Sequence, residues 1–179
     1  MLTLFNSLVR SRLEYCCEVW NPHYNKDIAY IENIQRSFTY KIQGMQQFNY
    51  WERLIKLQLM SLQGRREKMI LTHIWKIKNG LFPNSIELQF KLHMRSNSIQ
   101  TDLKSMPKYR GFLTLFESSF IINACKLWNV LPSTLTHTTS LSSFAYQLNN
   151  FLSTVVDEPP ISGYPYKNNN SLLFQCKNN

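Results

Sequence analysis

The chain is short of glycine, of acid and of long apolar runs. Five glycines occur in 179 residues. Phosphate-cradling loops and glycine-turn β-architectures rely on that residue, so helix is favoured. Acidic side chains number 11 against 20 Lys and Arg. They are scattered, and no Asp-Asp pair occurs. Two-metal phosphoryl chemistry needs carboxylates clamping two cations, so the chain reads as having no catalytic centre and no cofactor of its own. No apolar run reaches the roughly 18 residues of a membrane span. The start "MLTLFNSLVRSRLEYCC" lacks a basic lead and a small-residue cleavage site, so it does not read as a signal peptide. A reducing intracellular compartment, cytoplasm or nucleus, is the simplest setting for the four cysteines.

What is present is a sizeable apolar fraction, 44%, and a net charge of +9. The charge is uneven. Residues 1–110 hold 17 of the basic and 8 of the acidic side chains, hence the whole +9. A basic part followed by a neutral part points to a polyanion partner for the first.

"LEYCCEVWNP", residues 13–22, raises the question of a metal or redox site. Adjacent cysteines on a helix point about 100° apart, and zinc wants four converging ligands. Cys125 and Cys176 are isolated. Cys16 and Cys17 therefore read as small buried hydrophobes at the end of a helix. Tyr15 and Trp20 would add contact area, and Pro22 would stop the helix. The four histidines, His23, His73, His93 and His137, have no Ser or Cys beside them in a nucleophile-elbow setting.

Apolar spacing predicts helices over residues 2–20, 27–43, 50–57, from Ser61 to Asn79-Gly80, 115–131 and from Ser140 to 153. Gly44 and Pro132 are stops, and Ser61 and Ser140 are N-caps. The expected fold is mostly α. A helical unit at 1–81 is joined by a linker, 82–111, to a second helical unit at 112–153. The linker has room for one short strand. A tail, 154–179, rich in Pro and Asn, is expected to be disordered.

The helix after Ser61 carries the sharpest functional signal. Arg65, Lys68, Thr72 and Lys76 fall within about 80° of one another at 3.6 residues per turn. Ile70, Ile74, Ile77 and Leu81 fall on the opposite side. Arg66 flanks the basic stripe, and Glu67 is the one acid in the helix, so intrahelical pairing does not account for it. A phosphate-facing stripe is the reading. Arg36 and Lys41, on the helix expected over 27–43, complete the candidate nucleic-acid-binding set. Tyr40, Tyr50 and Trp51 are the aromatics placed near cations, where bases could stack.

Four blocks stand in order: "LFNSLVRSRLEYCCEVWNP", "IENIQRSFTYKI", "YWERLIKLQLMSLQGRREKMILTHIWKIKNG" and "FIINACKLWNVLPSTLTHTTSLSSFAYQL". As a set they resemble the region after the palm in reverse transcriptases of LINE-type, jockey-like non-LTR retrotransposons. Together they cover residues 1 to about 152. Gly64 stands where the family often has Glu, and Tyr40 where Arg is frequent. The resemblance implies the thumb and post-thumb part of an RNA-directed DNA polymerase. Its partners would be RNA or an RNA–DNA duplex, and the palm and fingers of the parent enzyme. The catalytic aspartates and their Mg would belong to that palm, so this chain would not be an enzyme by itself. The competing class is a helical protein-interaction module with no nucleic-acid role.

Overall fold

The computed structural model describes residues 1–22, 24–81, 90–93, 98–101, 120–155 and 157. The fold is mostly helical, as the spacing predicts. Among the described residues there are eight helices and one two-stranded hairpin. They fall into two compact units. One holds Met1–Glu67 and Asp157, the other Lys68–Val155. The expected linker, 82–111, and tail, 154–179, lie largely outside the described residues.

In the first unit, α1 is α-helical over Leu2–Leu4, π over Phe5–Arg10 and α again over Ser11–Glu14. Phe5 is buried and stacks on Phe38, ring centroids 4.0 Å apart. The expected single helix to residue 20 does not form. Tyr15 is extended and Cys16 is left-handed, φ 50°, and α2 restarts over Cys17–Trp20. Left-handed backbone is unfavourable for a side chain with a Cβ. Here the break is held by Val19 N donating to Cys16 O at 2.9 Å and Trp20 Nε1 to Tyr15 O at 2.7 Å. The break corrects the reading of the cysteine pair. Cys17 is buried, but Cys16 is exposed, and so are Tyr15 and Val19.

Helix α3 spans Asn25–Tyr40. Its deepest stripe is Ile28, Glu32, Gln35 and Thr39, spaced 4, 3 and 4 residues apart as one helical face requires. Three of these four are polar. The apolar residues whose spacing predicts this helix, Ile28, Ile31, Ile34, Phe38 and Ile42, are only partly inside: Ile28 is buried, while Ile34 is 37% exposed. Helix α4, Tyr50–Lys56, starts in a capping box: Glu52 N donates to Asn49 Oδ1 at 3.0 Å and Asn49 N to Glu52 Oε2 at 2.9 Å. It ends at left-handed Gln58, with Leu59 N reaching back to Leu54 O.

Helix α5, Leu62–Lys78, contributes to both units. Ser61 caps it, its Oγ accepting from Gly64 N at 2.9 Å. It stops in a Schellman motif at Gly80, φ 69°. There Gly80 N donates to Ile77 O and Leu81 N to Lys76 O, both at 3.0 Å.

The second unit continues with β1, Phe90–His93, paired antiparallel with β2, Ser98–Thr101, so that Phe90 faces Thr101. Helix α6, Phe120–Val130, lies beside β2. Pro132 follows, then α7, Ser133–Thr136, and α8, Leu141–Thr154. The α8 cap is Ser140, whose Oγ accepts from Ser143 N at 3.2 Å. The core is apolar. Leu71, Ile74 and Trp75 of α5 meet Leu127 and Trp128 of α6 and Phe144 and Leu148 of α8. Trp128 and Phe144 are fully buried, with ring centroids 6.0 Å apart.

Candidate nucleic-acid interface

The six candidate residues do not form one open surface. Arg65 is about a third exposed, and its guanidinium grips Glu14 with two hydrogen bonds, Nε to Oε1 and Nη2 to Oε2, the latter at 2.8 Å. The carboxylate raises the Arg65 pKa. Glu14 also lies 3.5 Å from Arg10 Nε. Such a two-pronged grip fixes α5 on the end of α1.

Arg66 sits inside the unit rather than on the flank of the stripe. It is 0% exposed. Its Nε donates to Asn21 Oδ1 at 3.0 Å, and the guanidinium lies 5.9 Å from the Trp20 ring centre. Among the described residues, Nη1 and Nη2 have no hydrogen-bond partner. Burial lowers its pKa, and the Glu32 charge opposes that. A side chain so enclosed is not placed to meet a phosphate from outside.

Lys68, Thr72 and Lys76 are half-buried along one face of α5. Ile70 and Ile74, opposite, are buried, and Ile77 is half-buried. Lys78, just beyond, donates to Thr136 O at 3.0 Å and lies over the Trp128 ring. On α3, Arg36 is half-buried, with Nη1 3.4 Å from Asn33 Oδ1, and Lys41 is exposed. Among the aromatics, Tyr40 is exposed beside the Arg53 guanidinium and Trp51 is half-buried. Tyr50 is fully buried and cannot stack on a base.

Tyr50 belongs instead to a buried polar network that apolar-period reasoning missed. The Glu32 carboxylate is completely enclosed. It accepts from the Tyr50 hydroxyl, from Leu62 N at 3.1 Å and from Gln63 N at 3.3 Å. It thereby caps α5 where unpaired amides and the helix dipole favour negative charge. Gln35 Nε2 bridges Tyr50 Oη and Met60 O, at 3.2 and 3.0 Å. Arg10 Nη2 reaches the same Met60 carbonyl at 3.2 Å. Asp157 adds a second acid at this helix start. It accepts from Ser61 Oγ and from Ser61 N, the latter at 2.7 Å. Gly64 makes room for it, since a Cβ there would meet Asp157 Oδ1 at 3.0 Å. Desolvation pushes Glu32 up to about 7 and raises Asp157 as well.

This network collects residues of three of the four blocks: Glu14 and Asn21 of the first, Glu32 and Gln35 of the second, Tyr50, Ser61, Arg65 and Arg66 of the third. Their signal in the sequence is the 4-3-4 spacing of Ile28, Glu32, Gln35 and Thr39, visible once polar residues are allowed on a buried face.

Among the described residues, no group of three or more His, Cys, Asp or Glu could hold a metal ion. Among them too, no helix is long and apolar enough to cross a membrane. The Cys17 thiol is pushed up to about 12, first by burial, which leaves it protonated and a poor ligand or nucleophile. No protein-family model, no curated protein and no solved structure matches the chain.

Proposed function

We propose that the chain is the thumb and post-thumb part of a LINE-type retrotransposon reverse transcriptase, holding the phosphate backbone of RNA or an RNA–DNA duplex. It performs no synthesis itself. The carboxylates and Mg for that step would sit in the palm of the parent enzyme, whose palm and fingers are this chain's other partners. The observation that carries the reading is the convergence of the sequence blocks. Residues of three of the four blocks, far apart in the chain, meet in one network around the start of α5, which supports reading those blocks as parts of one structural unit.

The contact surface is narrower than the sequence suggests. Arg65 and Arg66 hold the unit together. Lys68 and Lys76 share the half-buried face of α5 with Thr72, and they are the cations proposed to meet phosphate. Contacts of this type neutralise phosphates and release counterions, carrying affinity but no base preference.

The test is binding of the full chain to an RNA–DNA duplex of arbitrary sequence across a salt series, with primer extension in parallel. The expected result is a linear fall of log affinity with log salt, equal for unrelated sequences, and no nucleotide incorporation. Salt-independent binding or none would favour the interaction-module reading. That alternative draws on the apolar residues Leu4, Leu8 and Tyr30, which stand exposed in the first unit.

A further inference from the structure

One face of α3 is palindromic. Asp27, Tyr30, Ile34, Phe38 and Lys41 follow at spacings of 3, 4, 4 and 3 residues. On a helix they fall within about 80° of one another. An acid closes one end, a base closes the other, and Ile34 is the midpoint. Asp27 and Tyr30 are exposed, as is Lys41, which continues the helical backbone at φ −77°. Neither Asp27 nor Lys41 is in an ion pair among the described residues. An open groove of about 550 Å³ runs along this face, with Phe5 and Val9 of α1 forming its other wall. Lys41 is the one charged residue lining it.

We propose that this face binds a second copy of the chain about a two-fold axis through Ile34. With α3 antiparallel to its copy, Ile34 meets Ile34, Tyr30 meets Phe38, and Asp27 meets Lys41 twice. This is the reciprocity of an isologous interface. A crossing near 20°, one of the preferred helix-packing angles, keeps both ends together over the roughly 21 Å from Asp27 to Lys41. The apolar centre supplies the attraction. The end charges fix direction, because a parallel pairing would set acid on acid and base on base. A foreign acidic helix would satisfy Lys41 and repel Asp27, whereas the chain's own face carries both signs in the right order. The patch is small, so the dimer is weak and reversible. Lys41 then pairs with the second copy rather than with phosphate, and Lys68 and Lys76 are unaffected.

Sedimentation equilibrium of the full chain at high micromolar concentration tests this. A reversible monomer–dimer equilibrium is expected, and Ile34→Glu should leave only monomer. Asp27→Lys and Lys41→Asp should each weaken the dimer about tenfold, by setting two like charges together. The double exchange Asp27→Lys/Lys41→Asp should restore wild-type affinity. Both charged positions are exposed, so this set reads out even if Ile34→Glu fails to fold. With Cys16→Ser as background, Ile34→Cys should yield a disulfide-linked dimer on oxidation. A strictly monomeric chain, a dimer indifferent to Ile34→Glu, or single charge changes not rescued by the double would each overturn the proposal.

Discussion

The two compact units solve the same problem with opposite materials. The second closes around Trp75, Trp128, Phe144 and Leu148, and its described residues contain no Asp or Glu. The first encloses Arg10, Glu14, Glu32, Gln35, Arg66 and Glu67 beside a modest apolar set. An apolar core is tolerant of pH and salt and responds mainly to lost volume. A buried polar network responds to proton uptake and to the loss of any one partner, because the remaining group is left unsatisfied. The comparison says where the chain spends its charge. In the first unit much of it is structural, so net charge overstates what is available to a partner.

The largest expected effect lies in the apolar unit. Trp128→Ala should cost about 3–5 kcal/mol, the usual range for a buried aromatic truncated in a packed core. Chemical denaturation followed by a probe within α8 measures it, and an unchanged midpoint would break the apolar half of the comparison.

The next effect belongs to the first unit and has a definite sign. Glu32 is raised to about 7 from an ordinary value of 4.5. The folded chain therefore holds this proton more tightly than the unfolded one. Below pH 4.5 both states are protonated and the group contributes nothing. Between 4.5 and 7 the unfolded state ionises first, so stability falls as pH rises, by about 3 kcal/mol at most. Above 7 the loss is complete. Asp157, also raised, acts in the same direction. Hydrogen exchange read separately in α3 and α8 should show this slope in α3 alone, and Glu32→Gln should flatten it. An equal slope in both units would dissolve the contrast.

The smallest effect compares two serine caps. Ser140→Ala should cost about 1 kcal/mol, as exposed N-caps do. Ser61→Ala should cost more, because Ser61 is buried and its hydroxyl also serves Asp157. Equal costs would mean that the Asp157 contact adds nothing.

How much of this could be read from the sequence follows the same division. Apolar period and cap chemistry are local signals. The helices after Ser61 and Ser140 and the stops at Gly80 and Pro132 all come from neighbours in the chain. Leu71 and Trp75 were missed on the buried side of α5, although they too stand four residues apart. The polar core is non-local. Arg66 finds Asn21 at a separation of 45 residues, and Ser61 finds Asp157 at 96, distances that no periodicity reports. Ranking α3 by hydrophobicity selects Ile34 for the interior and leaves Glu32 outside, the reverse of what the fold does. At Tyr15–Cys16 no Gly or Pro marks the break. It is set by Trp20 reaching back to Tyr15 and by burial of Cys17.

The proposed function gives the cations of α5 split roles, Arg65 holding the fold and Lys68 with Lys76 meeting phosphate. One paired measurement tests it: melting temperature and the salt dependence of RNA–DNA duplex binding for Arg65→Gln and for Lys68→Gln/Lys76→Gln. Arg65→Gln strands Glu14, so it should lower the melting temperature and leave the salt slope unchanged. The double Lys variant should keep α5 helical, since Gln is a good helix former. Its slope of log affinity against log salt should shrink by about 2, one unit for each phosphate lost. A double Lys variant that melts normally and keeps the wild-type slope would contradict the account.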